Sequence, residues 1–172
     1  ALLLANPSAS NELIGKARYR RGLVDGQSAR CIAAYLYASC GDGESTSGVY
    51  FGGHCIIAEN GGILAESKRF QRGGHLTVAD IDLERLVRER MMTGSFGQAV
   101  ASDGVAYRTV TCTVAPLDVR EQFFRGVSAH PFVPEDVAVR DEVCEEIVQI
   151  EANALAHLLE ERARSSGHQP VV

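Results

Sequence analysis

The chain has 172 residues, 45% of them hydrophobic and 23% charged, with no Trp and five Cys. That length suits one ordinary domain, and the balance excludes a disordered, collagen-like or disulfide-scaffold chain as a description of the whole. Seventeen basic against 22 acidic side chains give a net charge of −5, which argues against a general phosphate-backbone binder. No apolar run approaches the ~20 residues of a membrane span. A soluble cytoplasmic protein with neither nucleic acid nor membrane as a partner is therefore expected.

Taken in chain order, residues 1–6 read as a buried strand ended by Asn6-Pro7, and Gly15 to Arg30 reads as a helix. Gly22 and Gly26 interrupt that helix at about 1 kcal/mol each, which predicts close packing against a neighbouring layer. Cys31 to Ser39 is a continuous apolar run, the pattern of a strand covered on both faces. A Gly-rich loop, Cys40 to Thr46, leads to a hairpin with strands at Gly48–Ala58 and Ile63–Glu66. Its turn is Glu59-Asn60-Gly61-Gly62, because Asn-Gly tolerates the positive φ of tight hairpins. Leu76–Ala79 is a further short strand, and Asp82 caps a helix carrying Leu83, Leu86, Val87 and Arg90. Tyr107–Val114 reads as a late strand, and Ala115–Pro134 as an extended connector. Glu135–Arg164 is one long amphipathic helix with Val143, Ile147, Ile150, Ala154 and Leu158 on its apolar stripe. The alternation of strands and helices defines an α/β chain.

The five cysteines, Cys31, Cys40, Cys55, Cys112 and Cys144, form no C-x-x-C pair and read as reduced core thiols. His54-Cys55 is a poor nucleophile pair, since neighbours on a strand point to opposite faces. Cys40, at a strand end before a Gly-rich loop, is better placed as a nucleophile but has no basic neighbour or helix start beside it to activate it. The five histidines show no H-x-x-x-H grouping, so no metal site is advertised. Gly41 to Thr46 lacks the Lys of a phosphate loop. The cluster Lys16, Arg18, Arg20 and Arg21 fits a solvated helix face or ion pairs to acidic neighbours. More suggestive is Asn6-Pro7-Ser8-Ala9-Ser10-Asn11 at the C-terminal end of a strand, where α/β proteins place ligands. With Lys16 reaching back, it suits a small anionic or zwitterionic ligand.

Seven segments in register carry a resemblance. They are Asn6–Asn11, Ile14-Gly15-Lys16, Gln27–Cys31, Ala34–Tyr37, Gly43–Thr46, Glu59-Asn60-Gly61 and Leu64-Ala65-Glu66. Together they resemble the glutaminase domain of glutamine-dependent NAD synthetases, in the nitrilase (carbon–nitrogen hydrolase) superfamily. The resemblance implies part of an α-β-β-α sandwich followed by a long C-terminal helix. Residues 1–115 would be the second half of the glutaminase domain, 116–134 a connector, and 135–172 the helix and start of a strand leading to a synthetase domain. The parent enzyme it implies hydrolyses L-glutamine and uses the ammonia, with ATP and magnesium, to amidate nicotinic acid adenine dinucleotide.

By the same resemblance the catalytic Glu, Lys and Cys precede Ala1, which leaves no catalytic residue and no cofactor in this chain. Ser10 and Lys16 match the glutamine-binding positions. The missing part of the same enzyme, or other subunits, would be partners, and a half sandwich with uncovered faces predicts a homo-oligomer. Ser47-Gly48 stands where the family often has Thr-Asp, so the carboxylate the family offers there, and any contact it would make, is not implied for this chain. A different reading keeps the fold and the Ser10/Lys16 pocket but makes the chain a non-catalytic assembly or ligand-binding module.

Overall fold

The computed structural model describes residues 1–104, 106, 108–113, 123–131 and 133–166. The chain divides into two compact units, Ala1–Gly126 and Val127–Val172. In the first, β1 (Leu3–Ser8), α1 (Lys16–Cys31) and β2 (Ala34–Ser39) form a parallel βαβ unit. β3 (Cys55–Glu59) and β4 (Gly62–Glu66) complete a four-stranded sheet in the order β1-β2-β3-β4, antiparallel beyond β2. The mixed α/β class expected from the alternation is therefore observed.

α1 begins where Gly15 takes φ 82°, a left-handed value that Gly adopts without strain. Arg20, Val24 and Ser28, four residues apart, form its buried stripe. Val24 packs with Tyr37, Ile56 and Ala58, flanked by Tyr35 and Ile63, to make the core on one face of the sheet. Gly22 and Gly26 lie off that stripe, and a Cβ at either would meet nothing within 4 Å among the described residues. They do not mark close packing against a layer of this unit, contrary to the expectation.

β1 starts and ends later than the apolar run suggested, and it is an edge strand rather than a buried one. Its residues alternate between exposed and half-buried, with Leu3 45% exposed. The carbonyls of Leu2 and Ser8 accept from Ala34 and Cys40 of the β2 side, so even-numbered residues turn their backbone inward. Pro7 consequently faces the open edge, where its missing N–H costs no ladder bond. Asn60 (φ 47°) and Gly61 (φ 82°) make the expected tight turn. The first hairpin strand is shorter than expected: residues 48–54 are irregular because Gly52 and Gly53 cross close to other segments. A Cβ on Gly52 would sit 2.8 Å from Glu12 Oε1, and one on Gly53 3.1 Å from His75 Cε1.

Leu76–Ala79 is extended without strand pairing, and the described residues 108–113 of the expected late strand form none either. Tyr107 and Val114 lie outside the described residues, as do 115–122 of the expected connector. α2 (Leu83–Met92) is capped as expected, Asp82 accepting from the Arg85 N–H at 2.8 Å, and its Leu86 is fully buried. α3 (Gly94–Ser102) has no counterpart among the expected elements, since two glycines and two serines blur its period.

Glu59 ties this region together. Its carboxylate receives a forked pair of hydrogen bonds from Arg125 at 2.8 and 2.9 Å and another from the Asp82 N–H. Arg90 bonds the carbonyls of Ala1, Cys31 and Ile32, closing the C-terminal end of α1.

The second unit contains α4 (Val137–Ser166), the long helix expected. Asp136 caps it, its carboxylate accepting from the N–H groups of Ala138 and Val139. None of its side chains is buried, and Ile147, Ile150 and Leu158 are exposed. The cysteines are free, but none is buried: Cys31, Cys40 and Cys55 are half-exposed, and Cys112 and Cys144 exposed. The core-thiol expectation thus fails, since Cys31 closes a helix, Cys144 lies on an uncovered one and Cys112 is outside any strand. Among the described residues, no helix is long and apolar enough to cross a membrane.

Candidate functional site

Two sheet strands and the start of α1 meet at the segment 8–16. Ser10 follows β1 directly, as expected for a residue at a strand's C-terminal end. Its carbonyl accepts from Arg20 Nη2 and from the Ser39 hydroxyl, each at 3.4 Å. Lys16, in the first turn of α1, donates from Nζ to Asn11 Oδ1 at 2.7 Å. The fold thus holds Lys16 against the residue next to Ser10, and both side chains are half-buried.

Beneath this segment lies a network that no motif announces. Glu12 Oε1 pairs with Arg20 Nη1 at 2.9 Å and Glu12 Oε2 with Arg69 Nη1 at 3.0 Å. The Glu12 and Arg20 side chains are only 7% and 4% exposed. Removing one partner of such a buried pair typically costs about 3–5 kcal/mol, because the other charge is left unpaired. Arg20 Nη1 also lies 3.0 Å from His54 Nδ1, and His54 Nε2 lies 2.9 Å from Glu66 Oε1. Arg21 Nε reaches the second oxygen of Glu66 at 3.2 Å.

The tautomer of His54 follows from donor chemistry. Guanidinium is donor-only, so Nδ1 must accept, and the remaining proton on Nε2 is donated to the Glu66 carboxylate. His54 is therefore neutral here. Burial pushes its pKa down, against the Glu66 hydrogen bond, which raises it, and with the Arg20 charge, which lowers it further. His54 lies just before β3, so the opposite-faces argument does not apply as made, but the two side chains meet different partners: Cys55 Sγ lies 3.8 Å from His75 Nε2, whereas His54 meets Arg20 and Glu66.

The basic cluster resolves as ion pairs and one amide contact, as one of its two readings expected, with Arg18 exposed. The hydroxyls of the Gly-rich loop serve the loop itself. Ser45 Oγ accepts from the Phe51 N–H and Thr46 Oγ1 from the Gly48 N–H. Among the described residues, no three His, Cys, Asp or Glu side chains are grouped to hold a metal ion.

An open hollow of about 590 Å³ adjoins the network, walled by Glu12, Ile14, Gly15, Tyr50, Arg69 and Phe70. Ser10 and Lys16 are not part of its wall. Tyr50 stacks on Phe70 with centroids 6.1 Å apart, and the Arg69 guanidinium lies 4.6 Å over the Phe70 ring. Sequence reading gave Glu12, Glu66 and Arg69 no role and weighed His54 only as a partner of Cys55. Their only sequence signal is an acid eight residues before Arg20, which is too weak to single out.

No family model matches the chain. Glutamine-dependent NAD(+) synthetase of Mycobacterium leprae is 38% identical to it over 175 residues, covering all of this chain and 25% of the relative. The crystal structure of a glutamine-dependent NAD(+) synthetase from Cytophaga hutchinsonii matches 45% of this chain and 13% of that one, at 31% identity and TM-score 0.43. That of a carbon-nitrogen hydrolase from Helicobacter pylori matches 57% of this chain and 37% of that one, at 23% identity and TM-score 0.42.

The chain is thus a mixed α/β homologue of an enzyme segment, spanning about a quarter of the length of the curated relatives it matches. Those relatives are glutamine-dependent NAD(+) synthetases, which is the resemblance read from its motifs.

Proposed function

We propose that this chain is the glutamine-side segment of a glutamine-dependent NAD synthetase, and that Ser10 and Lys16 contact the substrate glutamine. The observation that carries the reading is the 38% identity over the whole chain to enzymes of that name. The half-buried Ser10/Lys16 segment at a strand end supports the site assignment. A hydroxyl and a cation suit the polar ends of a free amino acid, and charge-assisted hydrogen bonds are the strong ones. Residues 1–115 would belong to the glutaminase domain, 116–134 to a connector and 135–172 to the passage toward the synthetase domain. The whole enzyme would release ammonia from glutamine and use it, with ATP and magnesium bound in that other domain, to make NAD in the cytoplasm. In that enzyme the apolar side chains left exposed here, such as Leu3 and Tyr19, would pack against the other half of a nitrilase-type sandwich.

The test is kinetic, on the full-length enzyme. Ser10→Ala should raise the glutamine KM about tenfold and Lys16→Met about ten- to a hundredfold, from the loss of about 1.5–3 kcal/mol of hydrogen bonding to charged groups. NAD formation supported by added ammonia, which needs no glutamine site, reports intact synthetase in each variant. Unchanged glutamine KM in both variants would overturn the site assignment.

A further inference from the structure

We propose that Glu12, Arg20 and His54 are positioning residues that set the glutamine-binding segment, with the neutral imidazole of His54 holding Arg20 in place. This rests on the reading of Ser10 and Lys16 as glutamine contacts. Glu12 stands between them in the chain, two residues after Ser10 and four before Lys16. Its carboxylate is clamped from both sides by Arg20 and Arg69, and its N–H is bonded to the Tyr50 carbonyl at 2.8 Å. Arg20 in turn donates to the Ser10 carbonyl. One buried guanidinium therefore joins the residue before Glu12's neighbour to Glu12 itself, and Asn11 between them anchors Lys16.

The arrangement makes the segment sensitive to the state of His54. The charged and titratable groups facing the imidazole are Arg20 of α1 and Glu66 of β4, with Glu12 beyond Arg20 and Arg21 on the far oxygen of Glu66. A second proton on His54 would sit on Nδ1, pointing a donor at the donor Arg20 and setting two positive charges 3.0 Å apart. Arg20 would then have to leave His54, and its hold on Glu12 and Ser10 would loosen with it. Glutamine binding should weaken in acid through this relay, by a route that leaves ammonia use untouched.

The experiment uses the full-length enzyme, with the ammonia-supported rate reporting the synthetase domain and a thermal melt reporting the fold of every variant. Glu12→Gln keeps the shape and removes the charge, and it should raise the glutamine KM about tenfold with a smaller change in kcat. For the wild type, the glutamine KM should stay level above about pH 6.5 and rise as pH falls below it, because burial holds the His54 pKa below the ordinary histidine value. His54→Gln can still accept from Arg20 and donate to Glu66 but cannot titrate, and it should flatten that profile. A glutamine KM unchanged in Glu12→Gln while Ser10→Ala raises it would overturn the positioning role alone. A KM insensitive to Ser10→Ala as well would overturn the underlying site. If Glu12→Gln fails to fold, the pH series decides: a flat wild-type profile, or one that persists in His54→Gln, sinks the proposal.

Discussion

His54 shows how one side chain can be chosen by its neighbours rather than by any motif. It is 1% exposed, and its two nitrogens meet partners that demand opposite roles, a donor-only guanidinium and an acceptor-only carboxylate. Only neutral imidazole satisfies both. Its pKa is lowered in the folded state, so between that value and the unfolded value near 6.5 the unfolded chain binds the extra proton. Stability therefore rises with pH in this window. The contribution of His54 is fully present above about pH 6.5 and is lost as pH falls through the window toward the lowered folded value. Urea titrations of the 172-residue chain across that range should show the loss, and His54→Gln should remove this component. Equal slopes in the two proteins would refute the assignment. The place of Ser10 just beyond a strand end was legible in sequence, because the end of an apolar run marks it. His54 was not, because its partners lie 34 and 12 residues away along the chain.

At the scale of elements, glycine separates what local rules predict from what packing decides. Asn60-Gly61 announced its turn, and Gly61 is constrained twice: by φ 82° and by Ala29, whose Cβ would lie 3.1 Å from an added methyl group. Gly61→Ala should destabilise by about 1–2 kcal/mol. Gly22 lies in α1 with open space where its Cβ would be, among the described residues. Gly22→Ala should instead stabilise this chain by about 0.5–1 kcal/mol, the helix-propensity difference. Chemical denaturation of the two variants checks both signs, and a destabilising Gly22→Ala would mean that this face packs against something. Helix α2 was legible for a related reason, since Asp82 and its bond to Arg85 are local. The expected strands at 76–79 and 108–113 failed because strand identity needs a partner, and apolar alternation does not supply one.

For the molecule as a whole, the four-stranded sheet has α1 on one face, while large apolar side chains remain exposed on strand and helix. Leu3 is 45% exposed, Tyr19 67%, Leu23 52% and Ile14 fully so. Unpaired strand edges and exposed apolar surface favour association. The purified 172-residue chain should therefore scatter light as more than one copy at micromolar concentration, and should hydrolyse no glutamine. A monodisperse monomer would refute the first expectation. Any glutamine turnover by the pure chain would refute the second.

What the sequence determined by itself was whatever depends on near neighbours along the chain. The α/β class, α1, the Asn-Gly hairpin, the Asp82 cap, the long helix and the family resemblance all follow from periodicity, turn chemistry and short motifs in register. Tertiary structure alone decided which strands exist, that β1 is an edge, and that Glu12, Arg20, His54, Glu66 and Arg69 converge. The reason is physical. A turn or a cap is satisfied within a few residues, whereas a strand's backbone groups and a buried charge must find partners wherever the fold delivers them.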